Sequence, residues 1–467
     1  MAILSISAYN RFMEPQKIKL LVEKQKAMFN THRTLSLAFR KEKLKQLKKE
    51  IQRQQKQVEE ALWLDLGKEK MEAYMCEIGL VYESIDYMLK HLDHLAKSKR
   101  VPTPLFLFPS CSKIVSIPYG CVLIVSPWNY PFLLSMQPMI EALAAGNTVI
   151  LKPSNYSAHT SRAIEEIVHQ VFPASYVEVV QGGRQENQAL FHQNVDSIFF
   201  TGSPKVGQEV MKAASEHLVP ITLELGGKSP CIVDQEVNLA LAAKKIVFGK
   251  FLNAGQTCVA VDHVYVHRSQ KRALLQQIEH QIRLQYPNLK AMGKIIDQKH
   301  FERVRSLLED GEIVYGGEYD EESLQIAPTL IENVKKDSAL DLEEIFGPLL
   351  PIYEYEDFDD LLNTLANKPH PLAAYLFSKN KAHIQQFENT FPCGGSCVNN
   401  TILHLANIHL PFGGLQNSGL GHYHGKYGFE RFSHQKSVLC SSSLLDLPIP
   451  YRPYTKGKEA IIQLFLK

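Results

Sequence analysis

The stretch DSIFFTGSPKVGQEVMKAASEHLVPITLELGG, residues 196–227, decides the fold class. It begins with an apolar run that ends at Gly202, continues with helical periodicity, and finishes with a second apolar run that ends at Gly226. Strand, turn, helix and strand in this order are typical of one unit of a doubly wound parallel sheet. In such sheets, ligands bind beyond the carboxyl ends of the strands.

The same alternation extends to both sides of this stretch. Apolar runs that end at Pro, Gly or Asp alternate with helical patterns, and they read CVLIVSP (121–127), NTVILKP (147–153), YVEVVQG (176–182) and PCIVD (230–234). A second alternating region, between about residues 226 and 405, contains the runs VYVH, APTLI, PLLPIYEY, AAYLFS and GSCVNN. The sequence therefore predicts an α/β protein with one doubly wound domain and a second α/β domain.

The regions before this alternation have a different character. Residues 14–100 carry Leu, Ile and Val at helical spacing among Lys, Gln and Glu, which predicts helices with a solvated face over a core. In residues 101–119, prolines bracket two short extended runs, which predict a hairpin arm.

Composition and charge limit the classes of partner. The 467 residues include 51 Lys plus Arg and 49 Asp plus Glu, and the net charge of +2 argues against nucleic acid or an anionic membrane as the main partner. No run of about 18 apolar residues is present, so no membrane-spanning helix is expected. The N-terminus has no basic lead or cleavage pattern typical of a secretory signal, and eight scattered cysteines fit a reducing compartment. These features predict a cytoplasmic protein with a small-molecule partner.

Two features of the opening stretch allow more than one interpretation. The turn at residues 202–207, GSPKVG, leads into a helix whose N-terminus can receive a phosphate, but Pro204 replaces the second glycine of the usual dinucleotide fingerprint. Glu224 follows Gly202 by roughly 20 residues, the distance at which an acid commonly binds the adenine ribose. Its place at a strand end beside two glycines suits a general base equally well.

The stretch FLNAGQTCVAVDHVY, residues 251–265, raises a similar question about Cys258. A free cysteine is usually a small buried hydrophobe. However, Cys258 ends a polar run that contains Gly255, where a thiol can be exposed and can meet backbone N–H groups that favour the thiolate. The residue pattern leaves core packing and nucleophilic catalysis as alternatives.

A possible zinc motif occurs later in the chain. Cys393, Cys397, His404 and His409 are spaced C-x3-C-x6-H-x4-H, but the gap between the pairs is short against the roughly 12 to 15 residues of finger sites. Strand-like residues fill the gap. We therefore interpret the segment as strand plus loop and predict no metal.

Seven motifs, in this order, resemble those of the aldehyde dehydrogenase superfamily. They are SPWNYPF (126–132), ILKPS (150–154), FTGSPKVG (200–207), LELGGKSP (223–230), GQTC (255–258), EEIFGPLLP (343–351) and PFGGLQNSG (411–419). The resemblance covers about residues 15–455. The ending GHYHGKYGFERFSHQK, residues 421–436, is similar to class 3, the group that acts on aromatic and medium- to long-chain aliphatic aldehydes.

The resemblance implies a role for each matching residue. Cys258 matches the nucleophile, Glu224 the general base and Asn129 the side-chain donor of the oxyanion hole. Residues expected to bind the cofactor are Trp128, Lys152, Ser154, Gly202, Ser203, Gly207, Glu344 and Phe346. Since Lys152 matches the residue that binds the adenosine ribose, the resemblance implies that Glu224 does not bind this ribose.

The implied reaction is NAD(P)-dependent oxidation of an aldehyde to a carboxylic acid, through a thiohemiacetal and then a thioester on Cys258. Release of the acyl group to coenzyme A or phosphate is an alternative, although a retained Glu224 favours water. A cysteine hydrolase using His263 would not need ILKPS or EEIFGP. A non-catalytic nucleotide-binding protein would be expected to have lost the Cys, Glu or Asn.

Two departures from the family pattern lead to separate expectations. Asn155 follows ILKPS where strictly NAD-dependent relatives commonly carry Glu, so NADP is expected to be accepted as well as NAD. Met13 stands where several class 3 chains begin, so residues 1–12 are expected to be a disordered or non-native extension.

The resemblance also implies a domain organisation and a homodimer. A Rossmann-like cofactor domain is expected beside a catalytic domain and an oligomerisation arm. The expected parts are a helical N-terminal part of the cofactor domain (1–100), the hairpin arm (101–119), the dinucleotide-binding domain (120–225), the catalytic domain (226–405), and a C-terminal segment with an active-site loop, an interface segment and a tail (406–467).

Overall fold

The computed structural model describes residues 14–466, so the expectation for residues 1–12 lies outside the described residues. The α-helices, in chain order, are α1 (Pro15–Asn30), α2 (Leu37–Leu66), α3 (Lys70–Ala73), α4 (Gly79–Leu95), α5 (Leu133–Ala145), α6 (Ala158–Val171), α7 (Arg184–Phe191), α8 (Pro204–Ser215), α9 (Leu239–Phe251), α10 (Lys271–Gln285), α11 (Gln298–Ser306), α12 (Ala339–Leu342), α13 (Phe358–Ala366), α14 (Lys381–Thr390), α15 (Gly425–Arg431) and α16 (Lys456–Phe465).

The strands form two large sheets and two small ones. In chain order they are β1 (Lys99–Val101), β2 (Cys111–Pro118), β3 (Cys121–Val125), β4 (Thr148–Lys152), β5 (Val177–Val179), β6 (Ser197–Thr201), β7 (Ile221–Glu224), β8 (Pro230–Val233), β9 (His263–His267), β10 (Glu312–Tyr315), β11 (Tyr319–Asp320), β12 (Gln325–Ile326), β13 (Thr329–Glu332), β14 (Leu349–Tyr355), β15 (Ala373–Phe377), β16 (Gly395–Val398), β17 (Gly419–Leu420) and β18 (Ser433–Cys440).

The first large sheet has the order β17-β7-β6-β3-β4-β5, and its neighbours are parallel except for β17, which is antiparallel to β7. Both faces of this sheet are buried. Along β3, Cys121 and Leu123 pack in a cluster with residues of α1, α7 and α8, whereas Val122 and Ile124 pack in the cluster that holds α2, α4, α5 and α6. Helices on both faces of a parallel sheet confirm the predicted doubly wound fold.

The second large sheet has the order β10-β13-β14-β9-β8-β15-β16, and only the pair β10–β13 among its neighbours is antiparallel. The apolar runs predicted in this region correspond to β9, β13, β14, β15 and β16. On one face, Ile232 and Leu376 of the sheet pack with Phe358 of α13 and Phe387 of α14. This sheet is the second α/β unit that the sequence predicts.

A separate antiparallel sheet is formed by β1, β2 and β18. The predicted hairpin is present, because β1 pairs with β2 and Lys99 lies opposite Ile114. The third strand, β18, comes from the C-terminal segment and pairs with the whole length of β2. The use of this sheet in oligomerisation, like the predicted domain boundaries, stays a prediction.

The parallel arrangement positions the motif residues. Strands β3, β4, β6 and β7 run in one direction, so their carboxyl ends meet at one edge of the sheet. Asn129, Lys152, Gly202 and Glu224 lie at or just after these ends. Between residues 14 and 466, no helix is long and apolar enough to cross a membrane.

Candidate active site

A cavity of about 510 Å³ joins the carboxyl ends of β6 and β7 to the loop that precedes β9. Its lining contains most of the residues that the sequence analysis selected. They are Asn129, Trp128, Gly202, Ser203, Glu224, Cys258, Glu344 and Phe346. Residues separated by more than 200 positions in the chain are therefore brought to one site.

Cys258 reaches the cavity through an unusual turn. After α9 ends at Phe251, Asn253 and Ala254 both have a φ of +53°, and Gly255 has a φ of +74°. A Cβ on Gly255 would lie 2.3 Å from the carbonyl oxygen of Gly347, so only glycine fits at this position. The turn delivers Cys258 half-buried at the cavity wall, whereas Cys231 is fully buried in β8.

The surroundings of Cys258 favour the neutral thiol in the protein alone. Burial raises the pKa of the Cys258 thiol to about 12, and the carboxyl groups of Glu344 and Glu224 act in the same direction. The backbone N–H groups of Cys258 and Val259 lower the pKa, because they donate to the sulfur. The thiol therefore needs help to ionise near neutral pH.

This environment predicts a pH-dependent alkylation rate. Because the raised pKa keeps Cys258 protonated at pH 7, we expect its rate of reaction with iodoacetamide to rise about tenfold per pH unit from pH 7 to 9. Glu344→Gln removes the carboxyl charge that raises the Cys258 pKa the most and should speed alkylation at pH 9. Mass spectrometry of the peptide containing Cys258 measures both rates. A rate independent of pH would show that the thiolate is already formed at pH 7.

Asn129 lies in the loop after β3 and is buried. Its side-chain Nδ2 donates to the backbone carbonyl of Gln256 at 3.0 Å, two residues before Cys258. The residues that follow Asn129 and Gln256 are also hydrogen-bonded, since the hydroxyl groups of Tyr130 and Thr257 lie 2.7 Å apart. The loop that carries Asn129 is therefore bonded directly to the loop that carries Cys258.

Glu224 ends β7 and has a buried carboxyl group that lines the cavity. Neither carboxyl oxygen has a hydrogen-bond partner among residues 14–466. Burial raises the pKa of Glu224 well above its usual range, Arg431 acts in the opposite direction, and Glu141 raises it further. The raised pKa makes the Glu224 carboxylate a stronger proton acceptor than an exposed carboxylate.

Aromatic rings and one carboxylate form the other side of the cavity. The Trp128 ring makes edge contacts with Phe346 and His300, at centroid distances of 5.4 and 5.0 Å. Glu344 Oε1 accepts a hydrogen bond from the backbone N–H of Gly227 at 3.1 Å. Burial raises the pKa of Glu344 to about 8. This side offers flat apolar surfaces and an acceptor for hydroxyl groups.

Three residues selected as cofactor ligands do not line this cavity: Lys152, Ser154 and Gly207. Lys152 is buried at the end of β4, its Nζ donates to the carbonyl of Pro153 at 2.7 Å, and burial lowers its pKa to about 8. Ser154 Oγ accepts from the N–H of Tyr156 at 3.3 Å. At Gly207, a Cβ would lie 2.9 Å from Leu225, so this glycine allows α8 to pack closely on the chain after β7.

Other residues that line the cavity were not predicted from the sequence. His300 and Arg303 are one turn apart on α11, and Arg303 donates to the backbone carbonyl groups of Glu344 and Ile345. Neither residue belongs to a motif. Their spacing of three residues on a predicted helix shows only that they share a helix face, which is too common to indicate a site. Tyr423 also lines the cavity and belongs to the class 3-like ending.

The remaining cavity wall is largely apolar. It includes the side chains of Leu80, Leu133, Leu134, Phe248, Leu252 and Leu405. These residues come from α4, α5, α9 and segments near them. A wall of this kind fits an apolar substrate rather than a charged one.

The segment with the zinc-like spacing contains strand β16 and, around His404, a short 3-10 turn (Leu403–Ala406). Cys397 lies in β16, and its Sγ is 3.3 Å from Nδ1 of His404. Across residues 14–466, no group of three or more His, Cys, Asp and Glu side chains is placed to hold a metal ion.

Known proteins are similar to this chain in sequence and in fold over nearly their whole length. The family model for the aldehyde dehydrogenase family matches residues 7–438. The 4,4'-diaponeurosporen-aldehyde dehydrogenase of Staphylococcus aureus is 47% identical over 448 residues, covering 95% of this chain and 97% of that protein. A Rattus norvegicus protein named Aldehyde dehydrogenase, dimeric NADP-preferring is 39% identical and covers 91% of this chain and 94% of its own.

A solved structure and further relatives agree with these matches. The structure described as the substrate bound state of Staphylococcus aureus AldH has a TM-score of 0.94 and 46% identity, and covers 96% of this chain and 99% of that chain. Mouse proteins named as members of aldehyde dehydrogenase family 3 are also matched, which confirms the resemblance to class 3. The chain belongs to the aldehyde dehydrogenase family and is an oxidoreductase that acts on aldehydes.

Proposed function

We propose that the protein oxidises aromatic and medium- to long-chain aliphatic aldehydes to carboxylic acids with NAD or NADP, through covalent intermediates on Cys258. The observation that carries this proposal is the presence of Cys258, Glu224 and Asn129 on one largely apolar cavity. The three side chains are a nucleophile, a base and a hydrogen-bond donor. This is the set that two-step acyl chemistry on a thiol requires.

In the first step, the Cys258 thiol gives up its proton to solvent water, and the sulfur adds to the aldehyde carbon to form a thiohemiacetal. The carbonyl oxygen becomes an oxyanion, which accepts hydrogen bonds from Nδ2 of Asn129 and the backbone N–H of Cys258. Asn129 Nδ2 carries two protons and uses one for Gln256, so a second is available. Loss of one such donor typically costs about 100- to 1,000-fold in rate.

The residues on the aromatic side of the cavity fit a nicotinamide dinucleotide. Glu344 offers a carboxyl group to ribose hydroxyl groups, Trp128 and Phe346 offer ring surfaces, and Gly202 with Ser203 precedes the N-terminus of the 12-residue α8. When bound, the cofactor supplies the acceptor for the hydride that leaves the thiohemiacetal carbon. The product of this step is a thioester on Cys258.

In the last step, Glu224 accepts a proton from water, and the water oxygen attacks the thioester carbon. The carbon–sulfur bond breaks, the acid leaves and the sulfur of Cys258 is regenerated. Burial raises the pKa of Glu224 well above its usual range, so its carboxylate is a stronger base towards the water proton than an exposed carboxylate. A free carboxyl group on the cavity wall also favours water over coenzyme A or phosphate as acceptor.

The apolar wall supports the substrate class. Leu133, Leu134, Phe248 and Leu252 can cover a hydrocarbon chain or ring, and each buried CH2 group contributes about 0.8 kcal/mol. We therefore expect kcat/KM to rise with chain length from acetaldehyde to decanal. The test is reduction of NAD and NADP by the purified protein with this series and with benzaldehyde. Equal kcat/KM for acetaldehyde and decanal would contradict the substrate class, and no turnover would contradict the reaction.

Acceptance of NADP depends on the neutral side chain at position 155. Asn155 is exposed beside the turn before α7, and its Nδ2 is 3.6 Å from where a Cβ on Gly183 would lie. We expect Asn155→Glu to lower kcat/KM for NADP relative to NAD by about 100-fold, because its charge opposes a 2′-phosphate. Asn155→Gln is the neutral control. A wild-type preference for NAD of several orders of magnitude would contradict the prediction.

We also propose that two copies form a homodimer in the cytoplasm. The antiparallel sheet of β1, β2 and β18 has mostly exposed or half-buried residues, and a relative is named as dimeric. Light scattering after size-exclusion chromatography tests this assembly. A mass near 52.9 kDa, that of one chain, would contradict it.

A further inference from the structure

A buried ion pair lies behind the loop that carries Asn129. Lys68 Nζ and Glu77 Oε1 are 2.6 Å apart, and both side chains are fully buried. Gly67, with a φ of +65°, ends α2 and turns the chain so that Lys68 enters the interior. Glu77 lies in a π-helical turn, Tyr74–Ile78, between α3 and α4. Such turns often occur at functional sites.

Both members of the pair bond to the segment after β3. Lys68 Nζ donates to the backbone carbonyl of Asn129 at 2.8 Å and lies 3.9 Å from the centroid of the Tyr130 ring. Glu77 Oε2 accepts from the backbone N–H groups of Phe132 and Leu133, at 2.8 and 3.1 Å. The ion pair therefore fixes the Asn129 loop at one end and the start of α5 at the other.

Asn253 also bonds to the loop that carries Asn129. Its Nδ2 donates to the carbonyl of Asn129 at 2.9 Å and to the carbonyl of Gln256 at 3.1 Å. The carbonyl of Gln256 also accepts from Nδ2 of Asn129. Asn129 is thus bonded through both its backbone and its side chain to groups that surround Cys258.

Stability alone gives little reason to bury these charges. Taking an ammonium and a carboxylate out of water is costly, and apolar residues of similar volume often stabilise a protein as well or better. Within residues 14–466, every side-chain hydrogen bond that Lys68 and Glu77 make beyond each other goes to the segment between Asn129 and Leu133. The contacts are therefore concentrated at the proposed oxyanion donor.

We infer that the Lys68–Glu77 ion pair and Asn253 are positioning residues that hold the Asn129 side chain in line with Cys258. This inference rests on the proposed function, in which Asn129 donates to the oxyanion. Lys68 and Glu77 act through Asn129 and have no contact with the reacting atoms. A displacement of about 1 Å at such a donor can cost about 100-fold in rate.

The test is a double-mutant cycle. Lys68→Met/Glu77→Gln removes both charges together, keeps an acceptor for the α5 N–H groups, and avoids leaving one charge buried alone. We expect it to lower kcat/KM for decanal about 10- to 100-fold, with the NAD dissociation constant unchanged. In the Asn129→Ala background, the same change should cost less than about threefold.

Two further variants keep the test independent of folding. Asn253→Gly preserves the positive φ and removes the second donor, so it should show the same dependence on Asn129. Lys48→Met/Asp86→Asn removes a salt bridge of 2.6 Å between a half-buried lysine and an exposed aspartate, and it should leave kcat/KM unchanged. Thermal melting identifies variants that are merely unstable.

The outcomes separate this inference from the proposed function. Equal losses in the wild-type and Asn129→Ala backgrounds overturn the positioning role, even when the enzyme oxidises aldehydes. A crystal structure of Lys68→Met/Glu77→Gln in which Asn129 Nδ2 stays about 3.0 Å from the Gln256 carbonyl overturns it without any assay. Absence of aldehyde oxidation in the wild type overturns the proposed function, whereas a shifted Asn129 in that crystal structure still supports the positioning role.

Discussion

Replacement of Cys258 by alanine is expected to abolish aldehyde oxidation. The reaction needs a nucleophile on the aldehyde carbon before hydride can leave, and Cys258 supplies the sulfur at the cavity wall. Loss of a covalent nucleophile costs about 10^4-fold or more in kcat, because the remaining donors cannot replace the missing bond. The measurement is NAD reduction with decanal under saturating conditions, next to calorimetric binding of NAD.

A matched control is available in the same cavity. Cys76 also lines the wall, but it lies on the π-helical turn Tyr74–Ile78, outside the loop that carries Cys258, and burial raises its pKa to about 12. Cys76→Ala should retain most turnover. NAD binding should be the same in both variants, which shows that Cys258→Ala still folds. Turnover in Cys258→Ala above a few per cent of the wild type would remove Cys258 from the proposed mechanism.

Much of the fold follows from local patterns in the sequence. The runs CVLIV and VIL, the latter within TVILK, show no polar alternation because both faces of a parallel strand are covered, and each strand is bounded by turn residues. The edge of the sheet where Asn129 and Glu224 lie follows from the parallel direction alone. The pairing of β18 with β2 was not predicted, since it joins segments more than 300 residues apart and depends on no local signal.

The site was predictable only where residues belong to motifs. Cys258, Asn129 and Glu344 could be selected from their motifs, whereas the apolar wall is assembled from several helices whose faces are known only after packing. His300 faces the cavity on a helix with an ordinary polar pattern. The structure also places Gly207 at a helix–strand contact instead of the cavity wall.

Lys68 and Glu77 show why a charge pattern can mislead. The N-terminal region is rich in Lys and Glu, and such composition is typical of solvated helical faces. Gly67 and the π-helical turn rotate these two side chains inward, where they meet a segment more than 50 residues away. A sequence pattern predicts which face of a helix is buried, but it does not predict local turns that change the direction of single side chains.

Glu224→Gln is expected to separate the two halves of the reaction. Formation of the thiohemiacetal and loss of hydride depend on Cys258 and Asn129, so one equivalent of reduced cofactor per site should appear quickly. Thioester hydrolysis depends on the base, and its loss should slow the steady state by about 100- to 10,000-fold. Rapid-mixing absorbance at saturating decanal should therefore show a burst followed by very slow turnover, with the acyl group on Cys258 detectable by mass spectrometry.

Glu141→Gln is the matched control for this result. Glu141 is also buried, its pKa is also raised well above the usual range, and it raises the pKa of Glu224, but it is not part of the cavity wall. Removing it should lower the Glu224 pKa and move the acidic limb of the kcat profile to lower pH, while steady turnover continues. Unimpaired steady turnover in Glu224→Gln would show that Glu224 is not the base. A burst in Glu141→Gln would show that the burst does not depend on a carboxyl group at the cavity wall. A burst only in Glu224→Gln requires that this carboxyl group act after hydride has left.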